Sequence, residues 1–117
     1  MNQEAQTVKV AVRNGSQPHV TILQVSGALT IRNFFEFQDL TRSEKAPVLI
    51  VDLSDVPFID SAALGCLLGL HLSCAKSNRK YGIAGTNDRL NTMFTVCGIQ
   101  GVLALFPSVA VAEAALV

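Results

Sequence analysis

The chain has 117 residues, with 9 Lys and Arg against 9 Asp and Glu, for a formal net charge of +0. That balance excludes the basic footprint of a nucleic-acid or anionic-membrane binder, and 50% hydrophobic against 15% charged residues excludes a disordered chain. The length suits one domain with its own core.

Met1 to Thr7 is polar and lacks the basic-then-apolar layout of a secretory leader. The longest apolar run, Ala62 to Leu72, is interrupted by His71 and falls short of the roughly 20 residues that cross a bilayer. A cytoplasmic location without a membrane span is the expectation. The three cysteines, Cys66, Cys74 and Cys97, agree with it: they are odd in number and include no Cys-x-x-Cys pair. Cys66 and Cys74 would lie about 12 Å apart along a helix, too far for a disulfide.

In chain order, residues 1–6 are expected to be a flexible N-terminus, and Val8 to Arg13 alternates as a strand. Asn14-Gly15-Ser16-Gln17-Pro18 is a turn cluster leading to a second strand, Val20 to Val25, so the pair reads as a hairpin. Thr30 can cap a helix over Ile31 to Ser43, with Phe34, Phe35, Phe37 and Leu40 supplying its apolar face and Pro47 ending the helical option. Val48 to Leu53 is almost continuously apolar, the pattern of a strand covered on both faces, which places it in the middle of the sheet.

A second helix is predicted from Ser61 to about Ser77, then a short strand, Tyr81 to Ala84. Asp88 to Cys97 forms a third helix stopped by Gly98, Val102 to Leu105 a last strand, and Ser108 caps a terminal helix. The order β-β-α-β-α-β-α-β-α predicts an α/β fold: a mixed sheet of four to five strands with about four helices packed mainly on one face.

Asp60-Ser61-Ala62-Ala63-Leu64-Gly65 puts a hydroxyl at the strand-to-helix junction ahead of a helix rich in small residues. At about 100° per residue, Ala62, Gly65, Cys66, Gly69, Ser73 and Lys76 fall on one side, and Leu64, Leu67, Leu68, His71 and Ala75 on the other. The larger aliphatic set is the expected core face. Two helical glycines cost about 1 kcal/mol each relative to alanine. They answer either to close packing within the domain or to a partner-docking face that begins at Ser61.

His71 reads as a hydrogen-bonded structural histidine, and it stands about 15 Å along the helix from Ser61, beyond the reach of a general base. His19 has no acidic or cysteine partner nearby in sequence. With no Gly-x-Ser-x-Gly elbow, no phosphate-binding glycine loop and no metal-ligand cluster, no catalytic residue, metal or cofactor is assigned.

The run Val51-Asp52-Leu53-Ser54-Asp55-Val56-Pro57-Phe58-Ile59-Asp60-Ser61-Ala62-Ala63-Leu64-Gly65 resembles the signature of STAS domains, the family of bacterial anti-sigma factor antagonists. The resemblance continues through Arg89 to Phe94, Gly98-Ile99, Leu105 to Ser108 and Glu113-Ala114, and so implies a single STAS-like domain over residues 1–117. It implies that Ser61 is a phosphoacceptor for a partner kinase that is itself the anti-sigma factor. A serine phosphatase would reverse the modification. The unmodified form would bind the kinase and free sigma factor.

Gly27, Thr30, Asp60, Ala62, Gly65, Cys66, Gly69 and Ser73 are the corresponding partner-binding residues. Two departures stand out. Many antagonists follow Asp-Ser with another hydroxyl residue and glycine, where this chain has Ala62 and Ala63, and many carry an acidic residue after Gly-x-Leu, where Gly27-Ala28-Leu29 is followed by Thr30. The alternative expectation is a STAS scaffold or accessory subunit of a stress-signalling or lipid-transport complex that docks without phosphorylation. A small serine hydrolase is a third.

Overall fold

The computed structural model describes residues 8–117; the flexibility expected of residues 1–6 lies outside them. Strands β1 (Lys9–Asn14) and β2 (Val20–Ser26) form the expected antiparallel hairpin, in register from Lys9 opposite Ser26 to Asn14 opposite Thr21. Strands β3 (Val48–Asp55), β4 (Lys80–Ala84) and β5 (Leu105–Phe106) then add in parallel, giving a five-stranded sheet in the order β1-β2-β3-β4-β5.

β3 is the central strand, and the pleat explains its unbroken apolar run. Val48 and Ile50 face one side of the sheet, Leu49, Val51 and Leu53 the other, and all five are at most 3% exposed. Helices α1 (Phe34–Ser43), α2 (Ser61–Ser77) and α3 (Asp88–Val96) cover the side that carries Leu23, Leu49, Val51, Leu53, Tyr81 and Ile83. Helix α4 (Val109–Leu116) covers the opposite side over Val20, Ile22, Val48, Ile50 and Ala84. Gly82 permits that approach, because a Cβ there would stand 2.9 Å from Cε2 of Phe106 and 3.0 Å from Cδ1 of Leu116.

Two elements differ from the sequence expectation for visible reasons. α1 starts at Phe34 instead of Ile31: Oδ1 of Asn33 accepts the Thr30 N–H at 2.9 Å, and the Thr30 carbonyl accepts from Asn33 and Phe34, so a side-chain-locked turn occupies residues 30–33. β5 begins at Leu105 instead of Val102. The Val102 and Leu103 N–H groups both donate to the Ile99 carbonyl, so a turn uses those residues and Leu103 is buried by it without any strand. Smaller shifts extend β3 to Asp55 and begin β4 at Lys80.

α4 is tied to the hairpin turn through Glu113, whose carboxylate accepts the Ser16 N–H at 2.8 Å and the Ser16 hydroxyl. These bonds hold the Glu113 carboxyl below the usual glutamate range. A depressed folded value means the tie contributes above the unfolded pKa and is lost as pH falls through the folded one. The wild-type melting temperature should therefore fall more steeply with acidification below about pH 4.5 than that of Glu113→Gln, whose tie does not titrate. The site is solvent-exposed, so the difference should be small.

Candidate functional site

Two loops leave the carboxyl ends of adjacent parallel strands, β2 to α1 and β3 to α2, and they are stitched together. Leu29 and Ile59 form a parallel bridge, with the Leu29 N–H donating to Phe58 at 3.2 Å and the Asp60 N–H to Leu29 at 3.3 Å. Gly27 makes the turn out of β2 possible with φ 98°, a conformation in which glycine carries no Cβ penalty, and donates its N–H to the Asp55 carbonyl at 3.0 Å.

Asp60 joins both loops. Its Oδ1 caps α2 by accepting the Ala63 N–H at 3.0 Å, and its Oδ2 accepts the Ile31 N–H at 2.8 Å. A carboxylate offers the two acceptors this requires, and its charge suits a helix N-terminus. Ser61 is the first helical residue and is exposed. Its hydroxyl makes no hydrogen bond to any described residue.

Thr30 is half-buried beside this junction, and its hydroxyl accepts the Arg32 N–H at 3.3 Å. Ala62 is half-buried, while Gly65, Gly69 and Ser73 are exposed in sequence down α2. A Cβ on Gly65 or on Gly69 would meet nothing within 4 Å. Close packing within the domain therefore does not account for these glycines. Gly69→Ala should accordingly stabilise the isolated domain by about 0.5–1 kcal/mol, read as a rise in the urea midpoint at unchanged slope.

Cys66 lines the groove between α1 and α2 with Gly65, Gly69 and Ser73, on the side expected, but at its buried floor and not on an open face. It is only 8% exposed and packs into the α1–α2 seam, and burial pushes its thiol up, outweighing the opposing pull of Arg42. Such a thiol stays protonated at neutral pH and is a packing residue. The buried residues of α2 are Ala63, Leu64, Cys66, Leu67, Leu70 and Cys74, so Leu64 and Leu67 lie in the core as expected. Leu68 and His71 are half-buried and Ala75 is exposed, so the core face lies rotated from the one expected.

Three exposed apolar side chains lie outside the expected site residues: Ile31 at 55%, Phe35 at 58% and Leu72 at 60%. Ile31 and Phe35 lead into and open α1 beside the Asp60 cap, and Leu72 stands on the outer face of α2. Helical spacing held a signal for Phe35. With Phe34, Phe37 and Thr41 buried, a residue 100° beyond Phe34 cannot share their face.

His71 serves structure. Its Nδ1 is 2.7 Å from the Tyr81 hydroxyl, which also accepts the Ala104 N–H at 3.1 Å, so α2, β4 and the start of β5 meet at one hydrogen-bonded node. His19 is exposed ahead of β2. Among the described residues no three His, Cys, Asp or Glu side chains converge as a metal site, and no helix is long and apolar enough to cross a membrane.

The STAS domain model matches residues 11–112, and the chain belongs to that family. An anti-sigma-B factor antagonist of Listeria monocytogenes is 24% identical over 99 residues, covering 82% of this chain and 86% of the relative. The crystal structure of an anti-sigma factor antagonist from Mycobacterium paratuberculosis superposes with TM-score 0.82 at 19% identity over 94% of each chain. A sulfate transporter family protein from Wolinella succinogenes superposes with TM-score 0.69 at 24% identity, over 88% of this chain and 90% of its own. Antagonist and transporter-family proteins thus share this fold, and the choice between their roles rests on the site.

Proposed function

We propose that this protein is a phosphorylation-gated anti-sigma factor antagonist. Unmodified, it binds an anti-sigma factor serine kinase through the face that begins at Ser61, and sigma factor is released. Phosphorylation of Ser61 by that kinase ends binding, and a serine phosphatase restores it. The protein is then a substrate in this cycle, with ATP held by the kinase, and it works in the cytoplasm.

The observation that carries this reading is the setting of Ser61. Its hydroxyl is exposed and unbonded at the first turn of a helix whose N-terminal cap is made by the Asp60 side chain, so a kinase can take the hydroxyl without dismantling a cap. A helix N-terminus also tolerates the phosphate once it is attached. Gly27, Thr30, Asp60, Ala62, Gly65, Gly69 and Ser73 surround it or continue from it as the docking face. His71 is committed to Tyr81, which leaves the serine without a base of its own.

Radiolabelled phosphate transfer from the anti-sigma factor kinases of the same genome tests the site. Wild type should be labelled and Ser61→Ala should not; equal labelling of both would remove Ser61 from the cycle. A second reading, a docking subunit that is never phosphorylated, draws on Ala62 and Ala63 after the serine and on the fold shared with the transporter-family protein. Stable binding to a partner with no labelling by any kinase would favour it.

A further inference from the structure

Resting on the docking role proposed above, we infer that the groove between α1 and α2 receives one amphipathic helix of the partner protein, apolar toward Ser61 and acidic toward Arg42. The groove is lined by Gln38, Thr41 and Arg42 from α1 and by Gly65, Gly69 and Ser73 from α2. Its floor is low because the two glycines present no side chain and have open space above them. Exposed apolar side chains flank it: Phe35 of α1 stands at the Ser61 end and Leu72 of α2 beside Ser73, each more than half exposed.

The shape selects a helix. Two packed helices offer no free backbone donors or acceptors along their sides, so an extended strand has nothing to pair with, whereas a third helix nests by side chains alone. From Gly65 to Ser73 the floor runs about 12 Å, or roughly two turns of a docked helix. Over the glycines the partner backbone can come close.

The charge selects the polarity of that helix. α1 and α2 each connect parallel neighbours in the sheet and run in the same direction, so Phe35 lies toward the Ser61 end and Arg42 toward Ser73. The Arg42 guanidinium forms no ion pair among the described residues, and Lys76 follows Gly69 and Ser73 on the same side of α2. An Asp or Glu on the partner helix would meet these cations about three to four turns from the phosphoacceptor. A second copy of this chain is the poorer fit, since its own groove carries the same cations.

The test uses the purified full chain and the kinase shown to label Ser61. Gly69→Leu, which fills the floor with a good helix former, and Arg42→Glu, which reverses the rim charge, should each weaken binding at least tenfold; Gly69→Leu should unfold no lower than wild type, and Arg42→Glu only slightly lower, since it replaces the cation in the last turn of α1. Arg42→Glu should also flatten the salt dependence of binding. A p-benzoylphenylalanine at position 72 should crosslink to a helical segment that contains Asp or Glu.

Wild-type affinity for both variants, while Ser61 is still labelled, would overturn the groove and leave the function standing. Crosslinks to a strand or loop would overturn the helix. A chain that dimerises, and loses its dimer in Gly69→Leu, would assign the groove to a second copy and overturn the inference. If no anti-sigma factor kinase of the same genome labels or binds the wild type, the functional reading falls, and the inference with it.

Discussion

Phosphorylation of Ser61 is expected to weaken kinase binding by about 100-fold or more while leaving the domain as stable as before. The modification adds about −1.5 to −2 charges at one exposed atom, and placing that charge against a docked surface costs several kcal/mol, where about 1.4 kcal/mol is tenfold in affinity. Inside the domain the same charge sits at the positive end of the α2 dipole, an effect of about 0.3–1 kcal/mol in its favour. Repulsion from the Asp60 carboxylate offsets part of that gain, since both of its oxygens are held in place by Ala63 and Ile31. Thermal melts of the phosphorylated and unmodified chains should therefore nearly coincide. A melt lowered by several degrees would mean that phosphorylation acts by loosening α2. Ser61→Glu, with one charge and fewer acceptors, should weaken binding less than phosphate does.

Phe94→Ala should produce the largest loss of stability, about 3–5 kcal/mol by urea unfolding. Phe94 is 0% exposed, and with Leu90 it supplies the buried face of the nine-residue α3. The consequence reaches the site. Asn87 caps α3 through Leu90 at 2.9 Å, and its Nδ2 donates to the Val56 and Pro57 carbonyls, while the Arg89 guanidinium stands 4.9 Å from the Phe58 ring centre. A loosened α3 therefore releases the loop that delivers Asp60 and Ser61. Val96→Ala, on the same helix but 80% exposed, should change stability by less than about 0.5 kcal/mol.

The central strand was legible because its run has no polar residue until Asp52, which only a strand covered on both faces tolerates. α2 has the bounds expected of it, Ser61 to Ser77, and the structure shows why: Asp60 caps one end and the left-handed Asn78, at φ 56°, closes the other. What spacing could not settle was how α2 is rotated. Apolar residues surround much of that helix, so side-chain size was the available guide, and it placed Cys66 outside and Leu68 inside. Burial of Cys66 follows from the α1 seam, a tertiary contact with no local signature. The start of α1 escaped for the opposite reason: Asn33 can cap a helix or lock a turn, and its bonds to Thr30 and Ala28 decide for the turn. β5 is two residues long, too short to alternate.

The proposed docking face was legible in part. The motif marked Ser61 and the glycines, but Ile31, Phe35 and Leu72 sit among apolar residues that resemble core until the neighbouring helices are in place. Only the fold shows which of those side chains remain uncovered.

The most direct measurement is a calorimetric titration of the cognate anti-sigma factor kinase with the unmodified chain and with the chain phosphorylated at Ser61. The account predicts tight binding of the first, and binding of the second weaker by about 100-fold or more, restored by treatment with a serine phosphatase. Equal affinity of the two forms would contradict it.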